Sequence, residues 1–137
     1  MKPYWQGVFP AVTTQLNKDQ SLDLNATAQH LEVLLDSGIT GIIMLGSLGE
    51  NQSLLPEEKL QVMDMAVKVG FGRVPVLSGV AENSTAAACE YVRDCEKLGA
   101  DGFMLMPAMI YKGDPRETLA HFRAVAKATS LPIMIYN

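Results

Sequence analysis

The chain has 137 residues, 48% of them hydrophobic, and a formal net charge of −4. That size suits one core of ordinary domain volume, and the lack of low-complexity sequence or of an apolar run of about 18 residues sets aside disordered, collagen-like and membrane-spanning classes. An acidic balance argues against nucleic acid, which needs a basic footprint, and leaves small-molecule chemistry as the class to pursue.

Five strands and four helices are predicted in alternation. Val8 to Thr13 is apolar and β-rich. From Asp23, the residues Leu24, Ala28, Leu31, Leu34 and Leu35 recur at helical spacing until Gly38. Ile39 to Leu45 is a continuous apolar strand. After a glycine-containing turn, Pro56 opens a helix with the stripe Leu60, Met63, Ala66 and Val67. Val74 to Ser78 is the third strand, and Ser84 caps a helix carrying Ala88, Tyr91, Val92, Cys95 and Leu98 before Gly99. Gly102 to Met106 is the fourth. Asp114-Pro115-Arg116-Glu117 combines a cap, a first-turn proline and a capping carboxylate for the helix holding Leu119, Phe122, Val125 and Ala126, and Ile133 to Tyr136 is the fifth strand.

A repeat runs through this alternation. Gly38 to Leu45 parallels Gly99 to Met106, and Arg73 to Leu77 parallels Ser130 to Met134, at a period of about 60 residues. Strands apolar at nearly every position are buried on both faces, which predicts a parallel sheet wrapped by helices. Repetition of one unit without reversal favours a barrel over an open flavodoxin-like sheet. A (β/α)8 barrel takes about 250 residues, so the expected fold class is α/β, a partial barrel with residues 1–137 as the amino-terminal half of one domain, cut after its fifth strand.

Barrel chemistry sits at the carboxyl ends of strands. Here those ends carry Thr13-Thr14, Gly46-Ser47-Leu48-Gly49-Glu50, Gly79-Val80, Pro107 and Tyr136. The second is the most informative: two glycines around a hydroxyl let backbone N–H groups converge on a small carboxylate, with Ser47 adding a proton donor or relay. Taken alone, the pattern is better explained by a tight turn between strand and helix.

Other candidates have plain structural readings. Glu57 and Glu58 complement a helix dipole. His30 and His121 lie on separate helices without a further metal ligand nearby. Ser84 in Asn83-Ser84-Thr85 reads as a helix cap. Cys89 and Cys95 would point about 120° apart on one helix and read as packed thiols, and Met1 to Gln6 lacks the apolar core of a signal peptide, so a reducing cytoplasm is expected. All seven lysines, Lys2, Lys18, Lys59, Lys68, Lys97, Lys112 and Lys127, read as solvated.

In combination the motifs resemble the dihydrodipicolinate synthase and N-acetylneuraminate lyase family. The resemblance rests on Gly7 to Thr14, Gly46 to Glu50, Leu55 to Lys59, Val74 to Val76 with Gly79, Tyr111 to Thr118 and Leu131 to Asn137, and so spans nearly the whole chain. It implies a (β/α)8 barrel that condenses or cleaves 2-oxo acids such as pyruvate through a lysine Schiff base, without a further cofactor. Tyr136 matches the proton-transferring tyrosine. Ser47 matches the hydroxyl bonded to it, and Gly46, Ser47 and Leu48 match the turn that holds the substrate carboxylate. Leu48 replaces the family's usual threonine, removing a hydroxyl while keeping an N–H. Tyr111 aligns with a tyrosine that completes a proton relay across a subunit interface in some members, which implies a homo-oligomer. The Schiff-base lysine is expected after Asn137, so the chain by itself is expected to be inactive. The alternative is a non-catalytic half-barrel module that folds or assembles without activity.

Overall fold

In the computed structural model, residues 5–107 and 111–136 are described. Helices α1 (Leu24–Asp36), α2 (Pro56–Gly70), α3 (Thr85–Leu98) and α4 (Pro115–Ala128) alternate with strands β1 (Ile42–Met44), β2 (Val76–Val80), β3 (Gly102–Leu105) and β4 (Ile133–Ile135). The strands are parallel and lie in chain order, β1-β2-β3-β4, each step crossing over through one helix.

Local chemistry sets the helix boundaries. Asp23 accepts the Ala26 N–H at 2.8 Å and Ser84 accepts the Ala87 N–H at 3.1 Å, which satisfies donors that a helix start leaves open. Asp114 and Glu117 form a reciprocal capping box, the latter accepting the Asp114 N–H at 3.0 Å. Pro56 opens α2, where Glu58 accepts the Leu55 N–H at 2.8 Å.

The expected strand from Val8 to Thr13 is shortened to a single parallel bridge, Ala11 to Ile43, flanked by Val12 N–H to Ile43 C=O at 2.9 Å and Ile43 N–H to Pro10 C=O at 3.1 Å. Pro10 has no N–H to give the ladder, and behind it Val8 C=O accepts from Thr40 N–H at 3.0 Å without forming a further bridge. Four strands and a bridge therefore stand where five strands were predicted.

Side chains alternate across the sheet as the pleat requires. Ile42, Met44, Val76, Val80, Phe103 and Leu105 face the helices and are buried with Leu31, Val62, Met63, Val92 and Val125. Ile43, Leu77, Met104 and Met106 face the other way, covered in part by Trp5, Phe9 and Met134. Gly41 and Gly102 make that cover possible, because a Cβ at either position would overlap the Phe9 or Trp5 ring.

Two helix stripes differ from expectation. On α2 the buried set is Lys59, Val62, Met63, Ala66 and Gly70, rotated by about one residue from the predicted stripe. On α4 only His121 and Val125 are buried, while Leu119 and Ala126 are exposed. The last strand was predicted to be buried. Instead β4 is partly open, with Ile135 49% exposed, because among the described residues it pairs with β3 alone.

Candidate functional site

The carboxyl end of β1 carries two of the three non-glycine residues with positive φ among the described residues. Leu45, fully buried, has φ +55°, a left-handed conformation that costs a branched side chain about 1–3 kcal/mol. The backbone then makes two 3-10 turns, Ser47–Gly49 and Asn51–Ser53, with Glu50 between them at φ +63°. Gly49 N–H donates to Gly46 C=O at 3.0 Å, and Thr14 Oγ1 donates to Gly49 C=O at 2.7 Å. Among the described residues, no hydrogen bond engages the N–H groups of Ser47 and Leu48. Gly46 and Gly49 are buried, whereas Ser47 and Leu48 are exposed at the pole where the strands end.

Close packing behind the turn explains Gly79. A Cβ there would overlap the Leu45 carbonyl, so only glycine lets β2 pass the end of β1. Asn51, 1% exposed, occupies the space beside them. Its Nδ2 donates to Leu45 C=O at 2.8 Å and to Gly79 C=O at 3.3 Å.

Lys59 corrects an expectation. It was read as solvated, yet it is 5% exposed and its Nζ donates to Asn51 Oδ1 at 3.1 Å and to both Glu82 oxygens at 2.9 and 3.1 Å. The Tyr91 ring lies 5.8 Å from that ammonium. The Tyr91 hydroxyl meets Ser78 Oγ at 2.7 Å, and burial holds its pKa well above the usual phenol range. The signal was present: Lys59 stands three, four and seven residues before Val62, Met63 and Ala66, on the buried stripe. Lys18, Lys68, Lys97, Lys112 and Lys127 are exposed as expected, and Lys2 lies outside the described residues.

Tyr136 directly follows β4, where its N–H donates to Leu105 C=O at 2.9 Å and its side chain is 57% exposed. It shares the strand-end pole with Ser47, three strands away. No hydrogen bond joins the two hydroxyls among the described residues. Tyr111, 59% exposed, lines a separate recess of about 210 Å³ with Glu82, Thr85, Thr118 and His121. There His121 Nδ1 meets Thr85 Oγ1 at 2.9 Å, and burial lowers the imidazole pKa, partly opposed by a hydrogen bond to the Met106 backbone. Cys89 and Cys95 are both free, and burial pushes the Cys95 thiol up to about 12. Among the described residues no cluster of metal-ligating side chains is present, and no helix is long and apolar enough to cross a membrane.

Comparison with known proteins decides the lineage of this site. The sequence profile of the dihydrodipicolinate synthetase family matches residues 4–137. The chain belongs to that family. A 4-hydroxy-tetrahydrodipicolinate synthase of Macrococcus caseolyticus is 37% identical over all of this chain, which spans 46% of that protein. Among solved structures, YagE of Escherichia coli K12, a prophage protein of the family crystallised with pyruvate, superimposes with a TM-score of 0.93 at 30% identity, over 98% of this chain and 45% of its own. The chloride-inhibited dihydrodipicolinate synthase from Acinetobacter baumannii, also with pyruvate, gives 0.92 at 31% identity, over 96% and 45%. The chain thus spans less than half the length of these family members, and its four-stranded sheet is a section of a (β/α)8 barrel.

Proposed function

We propose that this chain is the amino-terminal half of a cytoplasmic Schiff-base lyase or synthase acting on a pyruvate-type 2-oxo acid, in which Gly46, Ser47 and Leu48 hold the substrate carboxylate. The observation that carries the reading is the turn after β1, with open N–H groups at Ser47 and Leu48 beside an exposed serine hydroxyl. Family membership and relatives crystallised with pyruvate support the substrate class.

The chemistry assigns each group a task. A neutral lysine amine bonds to the ketone carbon of the 2-oxo acid, and the carbonyl oxygen leaves as water after receiving protons, giving the imine. Tyr136 moves those protons, Ser47 relays them, and Tyr111 extends the relay from a neighbouring subunit. The amine comes from a lysine after Asn137. Lys59 is committed to Glu82 and Asn51, and an exposed lysine with a pKa of about 10.4 is almost wholly protonated at neutral pH.

Incubation with pyruvate followed by borohydride reduction tests this reading. The 137-residue chain should show no specific mass addition, and a chain continued through the sixth strand should gain one pyruvyl group. Stoichiometric labelling of a single lysine in the shorter chain, at Lys112 for instance, would refute it.

The second reading, a non-catalytic module that assembles, is favoured by the open edge of β4, where Ile135 and Tyr136 are half exposed, and by Val8 at the opposite edge, 63% exposed. Both readings predict a homo-oligomer. Sedimentation at micromolar concentration should show self-association, and a compact monomer that melts cooperatively would count against it.

A further inference from the structure

We infer that Asn51, Lys59 and Glu82 are positioning residues that hold the Gly46–Glu50 turn in its open form, with Asn51 clamping the carboxyl ends of β1 and β2 together. The orientation of the Asn51 amide is unambiguous. Two carbonyls, of Leu45 and Gly79, lie on one side and an ammonium on the other, so Nδ2 must face the carbonyls and Oδ1 must face Lys59. Both amide protons are used. Lys59 is likewise saturated, with one contact to Asn51 and two to the Glu82 carboxylate.

The clamp acts on the strained residue. Leu45 sits at φ +55°, and its carbonyl is the stronger of the two Asn51 contacts. Losing that contact would leave a buried carbonyl unpaired and let Leu45 return to extended backbone, which would redirect every N–H that follows. A buried ion pair is weak evidence for stability, because desolvation offsets its attraction. Here the side chains are only 7% and 13% exposed, and the pair fixes the rotamer of the asparagine that joins two strands. The three residues come from the turn itself, from the first turn of α2 and from the segment after β2, so the device ties the turn to both elements beside it.

The connection to substrate rests on the carboxylate reading given above, whereas the positioning itself does not. Amide exchange and titration of the isotope-labelled chain separate the two. In the wild type, Leu45 should show the coupling constant of positive φ, and the Asn51 side-chain amide protons should exchange slowly. Rapid exchange of those protons would by itself overturn the proposal. Asn51→Asp keeps the shape and an acceptor for Lys59 but removes both donors. It should accelerate exchange of the Gly49 and Glu50 amides at least tenfold, leave the amides of Met104 and Leu105 within twofold, and weaken the pyruvate-dependent shifts of the Ser47 and Leu48 amides at least tenfold. The paired variant Lys59→Met, Glu82→Gln removes both charges without stranding either, and should accelerate the same turn amides about threefold. Turn exchange within twofold of wild type in either folded variant would sink the inference. A wild type whose Ser47 and Leu48 amides ignore pyruvate would overturn only the carboxylate reading, since the exchange result still decides the positioning.

Discussion

Tyr136→Phe, made in a chain continued to the full barrel, should lower turnover by about a hundredfold or more, the range for a lost general acid. The substitution removes one hydroxyl from a residue that is 57% exposed and whose anchorage is its backbone bond to Leu105, so the fold should be indifferent to it. Affinity for the 2-oxo acid should change far less, because the carboxylate is assigned to the turn after β1, three strands away. Steady-state kinetics that separate turnover from KM make the test. Normal turnover in the phenylalanine variant would sink the assignment of proton transfer to this position.

Gly79→Ala should destabilise the chain by about 3 kcal/mol, at the upper end of overpacking costs. The added methyl would overlap the Leu45 carbonyl and come within 3.0 Å of the Gly46 nitrogen. These are backbone atoms of the peptide bond after the strained Leu45, with no flexible side chain to move aside. Gly113→Ala is the matched control, since its nearest neighbour would be Thr118 Oγ1 at 3.4 Å. Urea midpoints compared at one fixed protein concentration measure the difference, because association would otherwise shift them. Equal midpoints for the two variants would show that β1 and β2 can separate at no cost.

Much of the architecture was legible because its causes are local. Asp23, Ser84 and Asp114 act on donors within three residues, Pro56 starts a helix with a preset φ and no N–H to satisfy, and the apolar strands announce burial on both faces. The first strand is shorter than its apolar, β-rich residues suggest because Pro10 among them has no N–H to give a ladder. Lys59 departs from the solvated reading because its place on a helical stripe outweighs its charge once Glu82 is at hand. Asn51 drew no notice at all. Its meaning depends on Gly79, 28 residues away, and through Lys59 on Glu82, and no short window contains that triangle. The turn itself was found from its glycines, whereas the left-handed Leu45 that launches it has no signature in a leucine codon.

The cover over the inner face has a spectroscopic consequence. Trp5 is the single tryptophan of the chain, and its ring lies against Gly102, at the start of a strand 97 residues later. The tryptophan emission of the chain, excited selectively above the tyrosine band, therefore originates from one contact between the amino-terminal segment and β3. A shift of that emission toward the wavelength of a hydrated indole reports release of the segment from the sheet, while the four helices, which contain no tryptophan, add nothing to that signal.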